Sequence, residues 1–152
     1  MKIQEANLES GRLEGHVSGK KSIMVFGAHP DDIEIGMGGT IAKFPKEEYD
    51  VTMVIMTLPN FTEIDKKEQR RQEAVMSAKI MGVRSPVFLD LVPEDITFSR
   101  NLVTKIDQLI RKYQPLAVFT QWIGDSHQDH YTLTKCVMAA ARDVTDLFMY
   151  ET

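Results

Sequence analysis

"SIMVFGAHPDDIEIGMGGT" (residues 22–40) carries the fold in three consecutive pieces. The apolar run that closes at Ala28 reads as a strand covered on both faces, because it is continuous rather than alternating. The turn after it holds His29, Asp31, Asp32 and Glu34. Glycines at 36, 38 and 39 follow in a segment that reads as the start of a helix. Three carboxylates this close repel one another, and a bound cation is the simplest offset.

The same strand-then-helix unit recurs downstream. Further apolar runs at 51–57, 86–89, 116–121 and 147–150 read as buried strands. Asp65 with Glu68 three residues on is a capping-box start. Ala74, Val75, Ala78 and Met81 then form a stripe that Gly82 stops. Leu102, Val103, Ile106, Leu109, Ile110 and Tyr113 form a second stripe, ended by Pro115, and Leu133, Val137, Ala140 and Ala141 a third. All three are core faces in the simplest reading. Alternation of strand and helix predicts an α/β fold, a Rossmann-like doubly wound and mainly parallel sheet with helices on both faces. The usual order, 3-2-1-4-5, makes the first and fourth strands neighbours and places the ligand site between their carboxyl ends. Residues 1–20, polar and punctuated by Gly and Ser, read as an arm holding a solvated His16; residues 21–152 read as one domain.

Composition narrows the partners. With 22 acids against 18 bases, the net charge of -4 argues against nucleic acid or an anionic membrane surface. The apolar runs are far short of the ~20 residues of a membrane helix. One cysteine permits no internal disulfide and suits a reducing cytoplasm. That residue, Cys136, reads as a small core side chain.

If the strand order holds, "HPDDIE" after the first strand faces "WIGDSHQDH" after the fourth. Three of the four histidines, His29, His127 and His130, fall in these loops, with Asp31, Asp32, Glu34, Asp125 and Asp129. Two imidazoles and a carboxylate around a divalent cation leave a position for water, the layout of catalytic zinc. The same set suits iron(II). A carboxylate outside the metal shell can take the water's second proton, and a remaining histidine can stabilise an oxyanion or protonate a leaving amine. A dinucleotide cradle fits poorly, because Ile41 stands where its third glycine belongs. The glycines more simply let the helix start close to the sheet, beside the metal. Glu34 reads as a first-turn acid facing the helix dipole.

The stretch "AHPDDIEIGMGGT" resembles the signature of the LmbE-like, or PIG-L, zinc-dependent N-acetylglucosaminyl deacetylases. "HQDH" with the helix ending "AAAR" resembles that family's second motif, and "RRQEAVMSAKIMGV" its helix after the second strand. The resemblance runs from about residue 22 to the last residue and keeps order and spacing. It implies that His29, Asp32 and His130 bind zinc, or iron or another divalent ion. By the same resemblance Asp31 is the general base. His127 stabilises the oxyanion and helps protonate the amine, Asp129 orients His127, and Arg70 contacts a small amino-sugar conjugate. Spacing alone does not say which of Asp31 and Asp32 is ligand and which is base. The chain departs from the family in "TLPNFTEI" (57–64), where a "TxG" turn is frequent, and it leaves open whether Asp90 or Asp95 faces substrate. It also stops at "MYET", where members usually continue; the expectation is a domain lacking its C-terminal part, with an open sheet edge that favours a homo-oligomer. Trp122 can stack on a sugar or cover the site's edge.

The leading function is thus removal of an N-acetyl or similar acyl group from an N-acetylglucosamine-type sugar. The rivals are a metal-dependent hydrolase of a non-sugar amide or ester, a truncated non-catalytic domain, and a receiver-type phospho-acceptor. The last has no use for three histidines and needs a lysine near the fifth strand, where none follows Lys135.

Overall fold

The computed structural model describes residues 21–58, 64–92 and 95–152. Five strands and four helices alternate: β1 (Lys21–Gly27), α1 (Asp32–Ile41), β2 (Tyr49–Thr57), α2 (Ile64–Met81), β3 (Val87–Leu91), α3 (Arg100–Tyr113), β4 (Ala117–Gln121), α4 (Gln128–Ala140) and β5 (Asp146–Tyr150). A short 3-10 helix, Phe44–Glu47, leads into β2. All pairings are parallel and the order is β3-β2-β1-β4-β5, as the alternation predicts.

The central strands read correctly because both their faces are covered. Ile23 and Val25 of β1 pack with Ile33, Met37 and Ile41 of α1 and Ala74 and Ala78 of α2. Met24 and Phe26, pointing the other way, pack with Leu102 and Ile106 of α3 and Leu133 and Val137 of α4. Each such fully buried side chain stabilises the fold by about 1.5–3 kcal/mol. Cys136 is buried among them.

Helix ends follow local chemistry. Gly82 takes φ 76 after α2, with Gly82 N–H bonded to Lys79 O and Val83 N–H to Ala78 O, a Schellman stop. Ser99 caps α3 by accepting from Leu102 N–H at 3.3 Å. Gln114, at φ 45, ends α3 before Pro115.

Three expectations need correction. The helix α2 begins at Ile64, so Asp65 lies inside it rather than at its N-cap. β5 is an edge strand, and Phe148 and Met149 are exposed while Tyr150 is buried, so its apolar run is not covered on both faces. Of the glycines in α1, only Gly36 is required by a close approach: a Cβ there would lie 2.4 Å from Tyr150 Cδ2 and 2.6 Å from Glu151 O. A Cβ at Gly39 would meet nothing within 4 Å. The arm, His16 and residues 59–63 of the "TLPNFTEI" stretch lie outside the described residues. Among those described, no helix is long and apolar enough to cross a membrane.

Candidate metal centre and active site

The β1–α1 and β4–α4 loops meet at the carboxyl ends of adjacent strands. The first loop turns sharply at Asp31, whose φ of 96 is rare for a residue with a side chain. This turn places Asp32 in the first turn of α1 and leaves Asp31 at the surface. In the second loop, Asp125 accepts the His127 N–H at 2.8 Å, which turns the chain into α4. His127 is the N-cap of that helix: its Nδ1 accepts the Asp129 N–H at 3.2 Å.

Three donor groups then converge. His29 Nδ1 lies 3.4 Å from Asp32 Oδ2 and 3.4 Å from His130 Nε2, and His130 Nε2 lies 3.3 Å from Asp32 Oδ1. Zinc bonds of about 2.0–2.1 Å require tetrahedral donors about 3.4 Å apart. The far nitrogen of each histidine is held by a carboxylate: His29 Nε2 by Asp129 at 2.9 Å and His130 Nδ1 by Asp125 at 2.9 Å. Metal-binding histidines are ordinarily backed in this way, which fixes the ring and its tautomer. A second group, His29, His127 and Asp129, also comes within metal reach. It fits less well, since His127 is exposed and its Nδ1 is taken by backbone, whereas Asp32 and His130 are buried.

The electrostatics match a site built for a cation. Burial opposes charge on His29, but its hydrogen bonds to Asp32 and Asp129 outweigh burial and raise its pKa. Burial likewise works against charge on His130, and Asp32 and Asp125 raise it. Burial would raise Asp32, yet His130 and His29 hold its carboxyl well below the usual range. Asp125 is lowered by the His127 N–H first and then by the His130 ring.

Arg70 sits beside this group, donating to Asp31 at 2.8 Å and to Glu73 at 2.9 Å. A cavity of about 150 Å³ opens between Asp31, Glu34, Arg70 and Glu73. Glu34 is in the first turn of α1, and its Oε2 is buried without a hydrogen-bond partner among the described residues. A larger cavity of about 280 Å³ lies at the other end of the sheet, around residues 114–116 and 143–145. Its Asp107 is paired with Arg111, and no histidine lines it.

The seven residues singled out from sequence, His29, Asp31, Arg70, Asp32, His127, Asp129 and His130, all fall at this one end. One relation differs from expectation. The Asp129 carboxylate turns to His29, not to His127, because its own N–H is what His127 receives. Asp125 carries no role in the sequence reading; the signal that marks it is an acid two residues before a helix cap, an Asx-turn position. Asp90 takes φ 51 and pairs with Arg71, and Asp95 is exposed beside a separate cavity with Thr97 and Ser99. Trp122 is half exposed, with its ring packed over Gly124.

Known proteins resemble the chain over most of its length. The deacetylase YaiS of Escherichia coli, itself uncharacterized, is 29% identical over 139 residues, covering 88% of this chain and 75% of YaiS. The solved structure of N,N'-diacetylchitobiose deacetylase from Pyrococcus horikoshii superposes with a TM-score of 0.73 at 29% identity, over 80% of this chain and 49% of that one. The 4-oxalmesaconate hydratase of Pseudomonas putida is 24% identical over 144 residues, 87% of this chain and 55% of the hydratase. The chain thus spans about half the length of the last two. Residues 24–141 match the GlcNAc-PI de-N-acetylase family, PIG-L, and the chain belongs to that family.

Proposed function

We propose that the chain is a zinc-dependent hydrolase that removes an N-acetyl or similar acyl group from an N-acetylglucosamine-type sugar or its conjugate. The observation that carries this is the His29–Asp32–His130 triangle, with each histidine backed by its own carboxylate and with Asp31, the residue before Asp32, exposed. His29, Asp32 and His130 hold the metal. When bound, a divalent cation there polarises a carbonyl and acidifies water.

The chain's own groups handle the protons. Asp31 accepts a proton from the attacking water and returns it to the departing amine. Arg70 donates to Asp31, which aims its carboxylate, and lines the cavity beside it. Because His127 accepts at Nδ1, its ring proton sits on Nε2 and can be donated to the oxyanion forming on the acyl carbon. That arrangement supports the oxyanion half of the role expected for His127 and leaves delivery of the amine's proton to Asp31. The named deacetylases among the relatives support amide hydrolysis over other uses of activated water.

The test is metal analysis of protein purified without chelator, followed by amine release from N-acetylglucosamine, its disaccharide and non-sugar acetamides. We expect about one divalent metal per chain and turnover of the sugars. Asp31→Asn and His127→Ala should keep the metal and lose 10²–10⁴-fold in rate. Protein that holds no metal, or that holds metal and releases no amine from any of these, overturns the reading.

A further inference from the structure

The ladder between β1 and β4 runs from Ile23↔Ala117 to Val25↔Phe119 and stops. β1 remains paired with β2 to Gly27↔Ile55, and β4 with β5 to Gln121↔Tyr150. The two central strands therefore part at the ends that lead into the His29 and His130 loops.

Two side chains bridge the opening. Tyr150 donates its hydroxyl to Phe26 O at 2.7 Å. Gln121, fully buried, accepts the Ala28 N–H through Oε1 at 3.2 Å. The Ala28 carbonyl is held from the β2 side by Thr57, whose N–H and hydroxyl both donate at 3.0 Å. The Ala28 peptide immediately precedes His29. The main-chain carbonyl of Gln121 accepts the Thr134 hydroxyl at 2.7 Å, and Thr134 lies one turn beyond His130 on α4. Gln121 thus touches both the backbone that launches His29 and the helix that carries His130. Its Nε2 is buried with no hydrogen-bond partner among the described residues. An orphaned buried donor is costly, and a leucine at this position would avoid that cost. An amide kept at that cost points to a use for its acceptor oxygen.

We infer that Gln121 is a positioning residue: its side-chain amide replaces the missing rung between β1 and β4 and sets the separation of the two metal-bearing loops. The inference rests on the metal reading above. Ligand sets tolerate displacements of only about 0.5 Å, so a loop released at Ala28 should cost affinity.

The test compares the full chain with Gln121→Leu, which removes the acceptor, and Gln121→Glu, which keeps an oxygen for Ala28 N–H. Thr120→Val, which loosens the neighbouring Thr120–Thr134 contact without touching Ala28, controls for general core damage. The readouts are zinc affinity by chelator competition, the visible spectrum of the cobalt(II) form, and amide exchange at Ala28. Gln121→Leu should lose about tenfold or more in affinity, alter the cobalt spectrum and speed Ala28 exchange. Gln121→Glu and Thr120→Val should stay within about threefold of the parent in affinity with its spectrum. A Gln121→Leu protein with the parent's affinity and spectrum overturns the inference, as does a Gln121→Glu protein that falls equally far. If Gln121→Leu does not fold, Ala28 exchange in the parent decides, and an unprotected amide there refutes the bridge. A parent that binds no metal overturns the functional reading; a metal-binding parent matched by Gln121→Leu overturns only this inference.

Discussion

Removing the carboxylate of Asp125 tests whether the second layer of the site matters. One oxygen holds His130 Nδ1 at 2.9 Å and the other accepts the His127 N–H at 2.8 Å, so a single side chain orients both histidines. Loss of such a partner commonly costs 10–100-fold in metal affinity, or about 1.4–2.8 kcal/mol at 1.4 kcal/mol per decade. Asp125→Asn keeps a neutral acceptor and should fall at the low end. Asp125→Leu keeps neither bond and should fall at the high end. Zinc affinity by competition with a chromogenic chelator is the assay, with urea unfolding of each metal-free variant to show that the fold survives. His130→Ala supplies the floor and Asp143→Asn, at an exposed acid remote from the histidines, should stay near the parent. Asp125→Leu with parental affinity would refute the reasoning. The same assay separates the two possible donor groups: Asp32→Asn should strip the metal, whereas Asp129→Asn should only weaken it. The reverse result would assign the metal to His29, His127 and Asp129 instead.

The remaining predictions concern the fold around the site. Gly36→Ala should destabilise by about 1–3 kcal/mol, because its new methyl meets the Tyr150 ring and the Glu151 carbonyl, and a backbone oxygen cannot rotate away. Gly39→Ala, with open space around it, should instead stabilise by up to about 1 kcal/mol through helix propensity; urea midpoints that fail to move in opposite directions would sink both claims. Burial, with Asp32 and Glu34 nearby, pushes the Tyr150 phenol up. Folding therefore favours the protonated ring, and its contribution is intact below the unfolded value of about 10 and lost as pH rises through the folded value. Tyr150→Phe should blunt the alkaline loss of stability; an identical pH–stability slope above pH 10 would count against it.

The fold was legible where a residue's chemistry decides its backbone and illegible where only a neighbour does. β1 and β2 are apolar at successive positions, which only double coverage explains. The run at β5 looks the same in sequence, yet no strand lies beyond it among the described residues and Phe148 stays exposed. Periodicity records what a side chain tolerates, not which sheet edge it will occupy. Gly82 announced its own left-handed stop, while Gln114 adopts the same region without any signal of its own and was located only by Pro115.

The site's membership was legible because its residues sit in turns after strands, where topology alone brings two loops together. Its internal pairing was not. Asp129 and His127 are near in sequence, and that invites pairing them, but residues two apart at a helix start do not face each other. Once His127 caps α4 with its ring, Asp129 is left facing the other loop, and His29 is what it finds there. The crowding of acids then has a local resolution. Asp31 is paired with Arg70, Asp32 lies between His29 and His130, Asp125 is paired with His130, and Asp129 with His29. Among the described residues, Asp32 is the acid that faces both histidines from the side where His29 Nδ1 and His130 Nε2 meet. In the proposed function that shared side is why Asp32 is assigned as the ligand, and Asp31, one residue earlier and turned out by a strained φ, as the group for proton transfer.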